Sequence, residues 1–98
     1  MKTASVTCLR TLAEPLAALS LSHLNSDTRQ RLADDDLSVN AYPTACGGIL
    51  YVGRPRQRIP TEADLAAIFE IAEQAGIVWL KFDNEAAVID GLPIFETK

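Results

Sequence analysis

Polar and apolar positions change period several times along this chain of 98 residues. Residues 1 to 15 follow no single period, and a short strand or a loose arm both fit them. In "LAALSLSHL" (16 to 24), Leu19, Leu21 and His23 alternate with Ser20 and Ser22, the two-residue repeat of a half-buried strand. "NSDTRQRLADDD" brings Asn25 or Ser26 as an N-cap and Asp27 in the first turn. This predicts a short helix over 26 to 34 that offers only Leu32 and Ala33 to a core. Alternation returns in "LSVNAY", with Val39 and Ala41 on one side and Pro43 as its stop. "TACGG" supplies a glycine turn and "ILYVG" a continuous apolar run, so the pair reads as a hairpin. Pro55 and Pro60 break "RPRQRIP" into an exposed arginine loop.

"TEADLAAIFEIAEQAG" carries the clearest helical period. Thr61 is its expected cap, Asp64 holds the capping-box position, and Glu62 lies in the positive first turn. Leu65, Ile68, Phe69 and Ala72 form one stripe, and Gly76 is the left-handed stop. "IVWLKFD" then places Val78, Leu80 and Phe82 on one face, with Trp79, Lys81 and Asp83 on the other. After a turn near Asn84, "AVIDGLPIFE" adds a short edge segment that Gly91 and Pro93 keep irregular. The expected fold is α+β, an antiparallel sheet of about four to five strands with two helices on one face, in ferredoxin-like βαββαβ order. Residues 1–98 are expected to make one domain, because so short a chain has no room for a second core.

Composition adds constraints. Apolar residues form 48 % of the chain, enough for a core without metal or disulfide staples. The stretch from Pro15 to Leu24 is too short to span a membrane, and Arg10, Glu14 and Pro15 interrupt any secretory apolar region. The reading is an intact cytosolic protein. Cys8 and Cys46 belong to no ligand pattern and are expected as small buried hydrophobes, so neither a metal nor a cofactor is expected. Charge is asymmetric. Residues 1 to 60 carry seven Lys/Arg and five Asp/Glu, net +2, whereas residues 61 to 98 carry two Lys against eight acids, net −6. Such a split speaks to partners rather than to fold.

Candidate chemistry is thin. His23 is the one imidazole, and a nucleophilic pair would need it with Cys8, Cys46, Ser20 or Ser22. No serine sits in a glycine-flanked elbow, so His23 reads as a hydrogen-bonded structural residue. Asp34, Asp36, Ser38 and Asn40 alternate as calcium-loop ligands do, but Val39 and Ala45 occupy the positions that need glycine and glutamate. Asp83, Glu85 and Asp90 lack the company that acid–base catalysis needs, and the chain reads as a non-enzyme. The arginines of "RPRQR", with Arg29 and Arg31, could meet phosphates, yet Tyr42, Tyr51 and Trp79 form no RNA-binding motif, and no direct nucleic-acid binding is expected. The larger feature is the acid between Glu62 and Glu96. It suits carboxylates offered to a protein site that normally holds a nucleic-acid backbone. The candidate partner-binding residues are Glu62, Asp64, Glu70, Glu73, Asp83, Glu85 and Asp90, with Trp79 as apolar anchor. Asp34, Asp35 and Asp36, which oppose the macrodipole of their helix, form a second acidic patch.

"LSLSHLNSDTRQRL", "GGILYVG" and "DLAAIFEIAEQAGIVWLKFDNEAAVIDGLPIFE" resemble a family of small uncharacterised proteins from bacterial mobile elements. Its features are a Ser-x-His-Ile/Leu segment before a helix, a Trp-x-x-Phe-Asp strand and an Asp-Gly-Leu-Pro ending. The matching positions are Ser22 to Leu24, Trp79 to Asp83 and Asp90 to Pro93. In size and acidity the chain is also similar to anti-CRISPR inhibitors of the type I-C surveillance complex, some of which are thought to act as DNA mimics. The resemblance implies a monomer in the host bacterial cytoplasm that binds a CRISPR effector complex and blocks target DNA binding. The alternatives are an antitoxin-like adaptor that binds another protein, and a small hydrolase using His23.

Overall fold

A computed structural model describes residues 2–53, 55 and 58–95. The elements are α1 (Lys2–Leu12), β1 (Leu16–Ser20), a 3₁₀ turn (Leu21–His23), α2 (Ser26–Ala33), β2 (Ala41–Thr44), β3 (Gly47–Tyr51), α3 (Ala63–Gln74) and β4 (Trp79–Asp83). The α+β class and the strand–helix order stand, with a helix added in front. The sheet is mixed rather than antiparallel. Its order is β1-β4-β3-β2, with β4 parallel to β1 and antiparallel to β3. This differs from the ferredoxin-like expectation for a physical reason. β4 has the most regular buried alternation, with Val78, Leu80 and Phe82 inside, and takes an interior place, whereas β1 exposes Leu16 and Ala18 and lies at an edge.

Both α2 and α3 cover one face of the sheet, as expected. Leu65, Ile68, Phe69 and Ala72 of α3 share a core with Leu19, Leu50, Leu80 and Phe82. Leu32 of α2 reaches Gly48, where an added Cβ would lie 2.6 Å from its Cδ1. Burying a ring such as Phe69 or Phe82 completely is worth about 1.5–3 kcal/mol. The opposite face carries three cross-strand rows, Leu16–Trp79–Tyr51, Ala18–Lys81–Ile49–Tyr42 and Ser20–Asp83–Gly47–Thr44. No described helix lies over it.

Several expectations change. Residues 2 to 12 form a helix, exposed along its length, in place of a strand or loose arm. β1 stops at Ser20 because its hydroxyl accepts the Ser22 amide at 3.1 Å and turns the chain into the 3₁₀ turn. Pro43 lies inside β2 instead of ending it, since an edge strand tolerates a missing N–H. The hairpin turn is Ala45–Cys46 alone, and both glycines belong to β3. A Cβ at Gly47 would stand 2.0 Å from the Phe82 carbonyl oxygen, so the close β3–β4 approach requires glycine there. Glu62, not Thr61, is the N-cap of α3. Gly76 does take the left-handed conformation, at φ 76°. Cys8 and Cys46 are exposed rather than buried, one on α1 and the other in the hairpin turn. Ala33 is exposed, and buried Thr28 joins Leu32 on the inner side of α2. Arg54 and Arg56 of the arginine loop lie outside the described residues, while Arg58 is exposed.

Candidate functional site

Two of the eight candidate partner-binding residues, Asp64 and Glu62, tie distant elements of the fold together. The Asp64 carboxylate accepts the Asn25 amide and the Thr28 hydroxyl, both at 2.9 Å, and the Leu65 amide at 3.0 Å. It thereby locks the start of α2 to the first turn of α3. The Glu62 carboxylate accepts the Ser38 amide and the Ser38 hydroxyl, which fastens the approach to β2 onto α3. Burial raises the Glu62 carboxyl, but hydrogen bonds from the Ser38 hydroxyl and from the Glu62 and Ser38 amides, with the charge of Arg31, outweigh it. The group ends below its ordinary value. Apart from the adjacent Leu65 amide, the hydrogen-bond partners lie 24 to 39 positions away in the chain, so local spacing carries no signal of them.

The remaining acids lie on several sides of the molecule. Glu70 and Glu73 are exposed one turn apart on the outer side of α3. Asp83 is on the sheet face opposite α3, where it accepts the Glu85 amide at 2.8 Å and shapes the turn after β4. Glu85 and Asp90 are exposed in the chain that follows. Asp34, Asp35 and Asp36 are exposed at the end of α2. Asp35 adopts φ 56°, the left-handed geometry of a helix stop, which a short polar side chain tolerates. Among the described residues Arg31–Asp27, at 3.7 Å, is the one ion pair. Glu70, Glu85 and Asp90 have no such neutralising partner there. Trp79 stands apart from α3, on the open sheet face. Its ring lies 4.7 Å from that of Tyr51 and 6.4 Å from that of Tyr42, and its indole N–H donates to Glu14 at 2.8 Å.

His23 is 1 % exposed and holds the C-terminal segment. The Ile89 amide donates to Nε2 at 2.9 Å, and Nδ1 lies 2.8 Å from the Pro93 carbonyl. Since the amide can only donate, Nε2 is the acceptor and Nδ1 carries the proton. Further ties are Ser20 N–H to Ala87 C=O at 2.9 Å and Phe95 N–H to Ser22 C=O at 2.7 Å. Arg29, considered above for phosphate contact, donates instead to the Leu24 and Phe95 carbonyls. The segment expected to add an edge strand therefore runs as an irregular clasp, in which Ser22–Leu24 meets Asp90–Pro93. Neither nucleophilic pairing with His23 forms, because both ring nitrogens meet backbone groups and the Ser20 and Ser22 hydroxyls bond each other at 2.7 Å.

Two hollows border this clasp. One of about 280 Å³ is lined by His23, Ala67, Ile68, Leu92, Pro93 and Phe95. The other, about 110 Å³ and apolar, lies between β1, α3 and Leu92. A polar recess of about 210 Å³ separates the starts of α2 and α3 and holds Asp27, Arg31, Glu62 and Asp64. No group of three or more His, Cys, Asp or Glu among the described residues could hold a metal ion. No described helix is long and apolar enough to cross a membrane.

Residues 16–97 match the model for the C-terminal domain of a family of unknown function, DUF5983, and the chain belongs to that family. No curated protein and no solved structure matches it. The matched region begins at β1, which leaves α1 upstream of it.

Proposed function

We propose that this DUF5983 protein works by binding, and that its acidic surface occupies a basic site on a protein partner. The observation that carries this reading is the exposed acid of Glu70, Glu85 and Asp90, none of which has an ion-pair partner among the described residues, within a region whose net charge is −6. Carboxylates already bonded inside the fold, Glu62 and Asp64, contribute field but have few lone pairs left for a partner. In the finer form of the proposal the partner is the DNA-binding surface of a type I-C CRISPR complex in a host bacterial cell. The protein, carried by a phage or mobile element, then blocks target DNA by standing in for its phosphates.

A mobility-shift assay with purified complex and cognate DNA tests this directly. Added protein should abolish the shift and co-elute with the complex. Reversing Glu70, Glu73, Glu85 and Asp90 together to lysine should restore DNA binding while circular dichroism stays unchanged. Full inhibition by the reversed protein would reject mimicry. A second reading, an antitoxin-like adaptor, is favoured by the half-buried aromatic cluster of Trp79 and Tyr51 with exposed Tyr42. Salt separates the two, because mimicry weakens steeply between low and high ionic strength whereas an aromatic interface does not.

A further inference from the structure

We infer that this protein forms a symmetric dimer in which α1 of each copy lies across the open sheet face of the other. Two surfaces of the chain lack a covering layer. Among the described residues the sheet is covered by helices on one side only, and its second face presents exposed Leu16 and Tyr42 and half-buried Ile49, Tyr51 and Trp79 around Lys81. Helix α1 is exposed from Thr3 onward, and Val6, Leu9 and Leu12, spaced three apart, are 45 %, 68 % and 73 % exposed. A helix of 11 residues is marginal in water without tertiary contacts, so its apolar stripe needs a surface. A sheet with one apolar face bare needs a layer.

The occupant is a second copy rather than the chain's own helix. The Pro15 carbonyl accepts the Val78 and Trp79 amides at 3.0 and 3.1 Å, and Glu14 takes the Trp79 indole N–H. These bonds pin the linker at the margin of the face, α1 is exposed along its described length instead of packing back on it, and the molecule measures 52 Å along one axis and 27 and 26 Å along the others. The dimensions match, since α1 is about 16 Å long and the spacings of four strands add to about 14 Å. Charge also matches. Residues Lys2–Leu12 contain Lys2 and Arg10 and no acid, a net of +2, whereas the receiving face and its margin carry Asp83 and Glu14 against Lys81. Exchange about a two-fold axis covers both helices and both faces at once. The adaptor reading then loses its aromatic face, while the acidic outer side of α3 stays free for the basic partner.

Sedimentation equilibrium of the full chain tests this, with Trp79 emission as a local probe because it is the one tryptophan. The wild type should show twice the 10.6 kDa chain mass at about 100 µM, and its emission should shift to the red on dilution into the monomer. Leu9→Asp should raise the dissociation constant on the order of a hundredfold or more. It should also lose the helical signal of α1 and keep the folded body, since Leu9 is 68 % exposed and lies outside its core cluster. A wild type that stays at the chain mass overturns the inference. A Leu9→Asp protein that remains dimeric, or a dimer whose Trp79 emission ignores dilution, overturns it as well. None of these outcomes depends on the proposed CRISPR partner.

Discussion

Replacing His23 with alanine removes the link between the 3₁₀ turn and the C-terminal segment. Two hydrogen bonds disappear, from the Ile89 amide and to the Pro93 carbonyl. Each is worth about 0.5–1.5 kcal/mol net, and the low end applies because both backbone partners lie in an exposed segment that water can reach. Loss of a fully buried ring adds a cavity cost of about 1–2 kcal/mol, below the range for phenylalanine because the ring is smaller and the hollow beside it can be entered by water. The sum is about 2–3 kcal/mol, a large share of the roughly 5–15 kcal/mol typical of a domain. His23→Phe keeps the ring volume and loses only the bonds, so it should cost about 1 kcal/mol. Urea unfolding followed by circular dichroism measures both, with an unchanged slope required. Hydrogen exchange supplies the local test, since the Ile89 and Phe95 amides should lose protection before those of β4. An alanine variant within about 0.5 kcal/mol of wild type, with Ile89 still protected, would refute the clasp.

Other expectations address separate features. Asp64→Ala strands the Thr28 hydroxyl and the Asn25 amide and should destabilise by about 2–4 kcal/mol, read from the urea midpoint, whereas Glu70→Ala should change it by less than about 0.5 kcal/mol. Gly47→Ala should disrupt β3–β4 pairing and fail to give a cooperative transition, because its methyl collides with the Phe82 carbonyl. Asp35→Gly should raise stability by about 0.5–1 kcal/mol in the same assay, since glycine has no Cβ penalty at positive φ. Glu62 has a lowered folded pKa, so its contribution is complete above the ordinary value of 4.5 and is lost as the pH falls through the folded one. Glu62→Gln should therefore flatten the loss of stability between about pH 5 and about pH 3.

The strands and helices that alternate strongly were legible in the sequence. α3 and β4 lie close to where their stripes placed them, because one face of each meets the same core and burial enforces the period. What escaped was set by distant partners. The place of β4 between β1 and β3 depends on which strands can be covered on one face only, and no local pattern records that. Asp64 read as a helix-capping acid, but its oxygens go to α2, 36 to 39 positions earlier. Gly47 and Gly48 read as a turn because the dipeptide favours one, while their reason is close approach to Phe82 and Leu32.

The same distinction sorts the acidic surface. A carboxylate that accepts several N–H or O–H bonds within the fold is held there by geometry, and its removal registers as lost stability. An exposed carboxylate without a cation beside it raises repulsion among its neighbours and gives the fold little in return. Asp64 and Glu62 belong to the first kind; Glu70, Glu85 and Asp90 belong to the second. The second set shares an acidic third of the chain with a single internal lysine, Lys81, and that lysine lies on the other face of the sheet from α3. Acid kept at a small cost to the fold points to a contact outside it. For that reason the charge-reversal experiment should spare stability and abolish binding, whereas the Asp64 and His23 variants should do the opposite per molecule still folded.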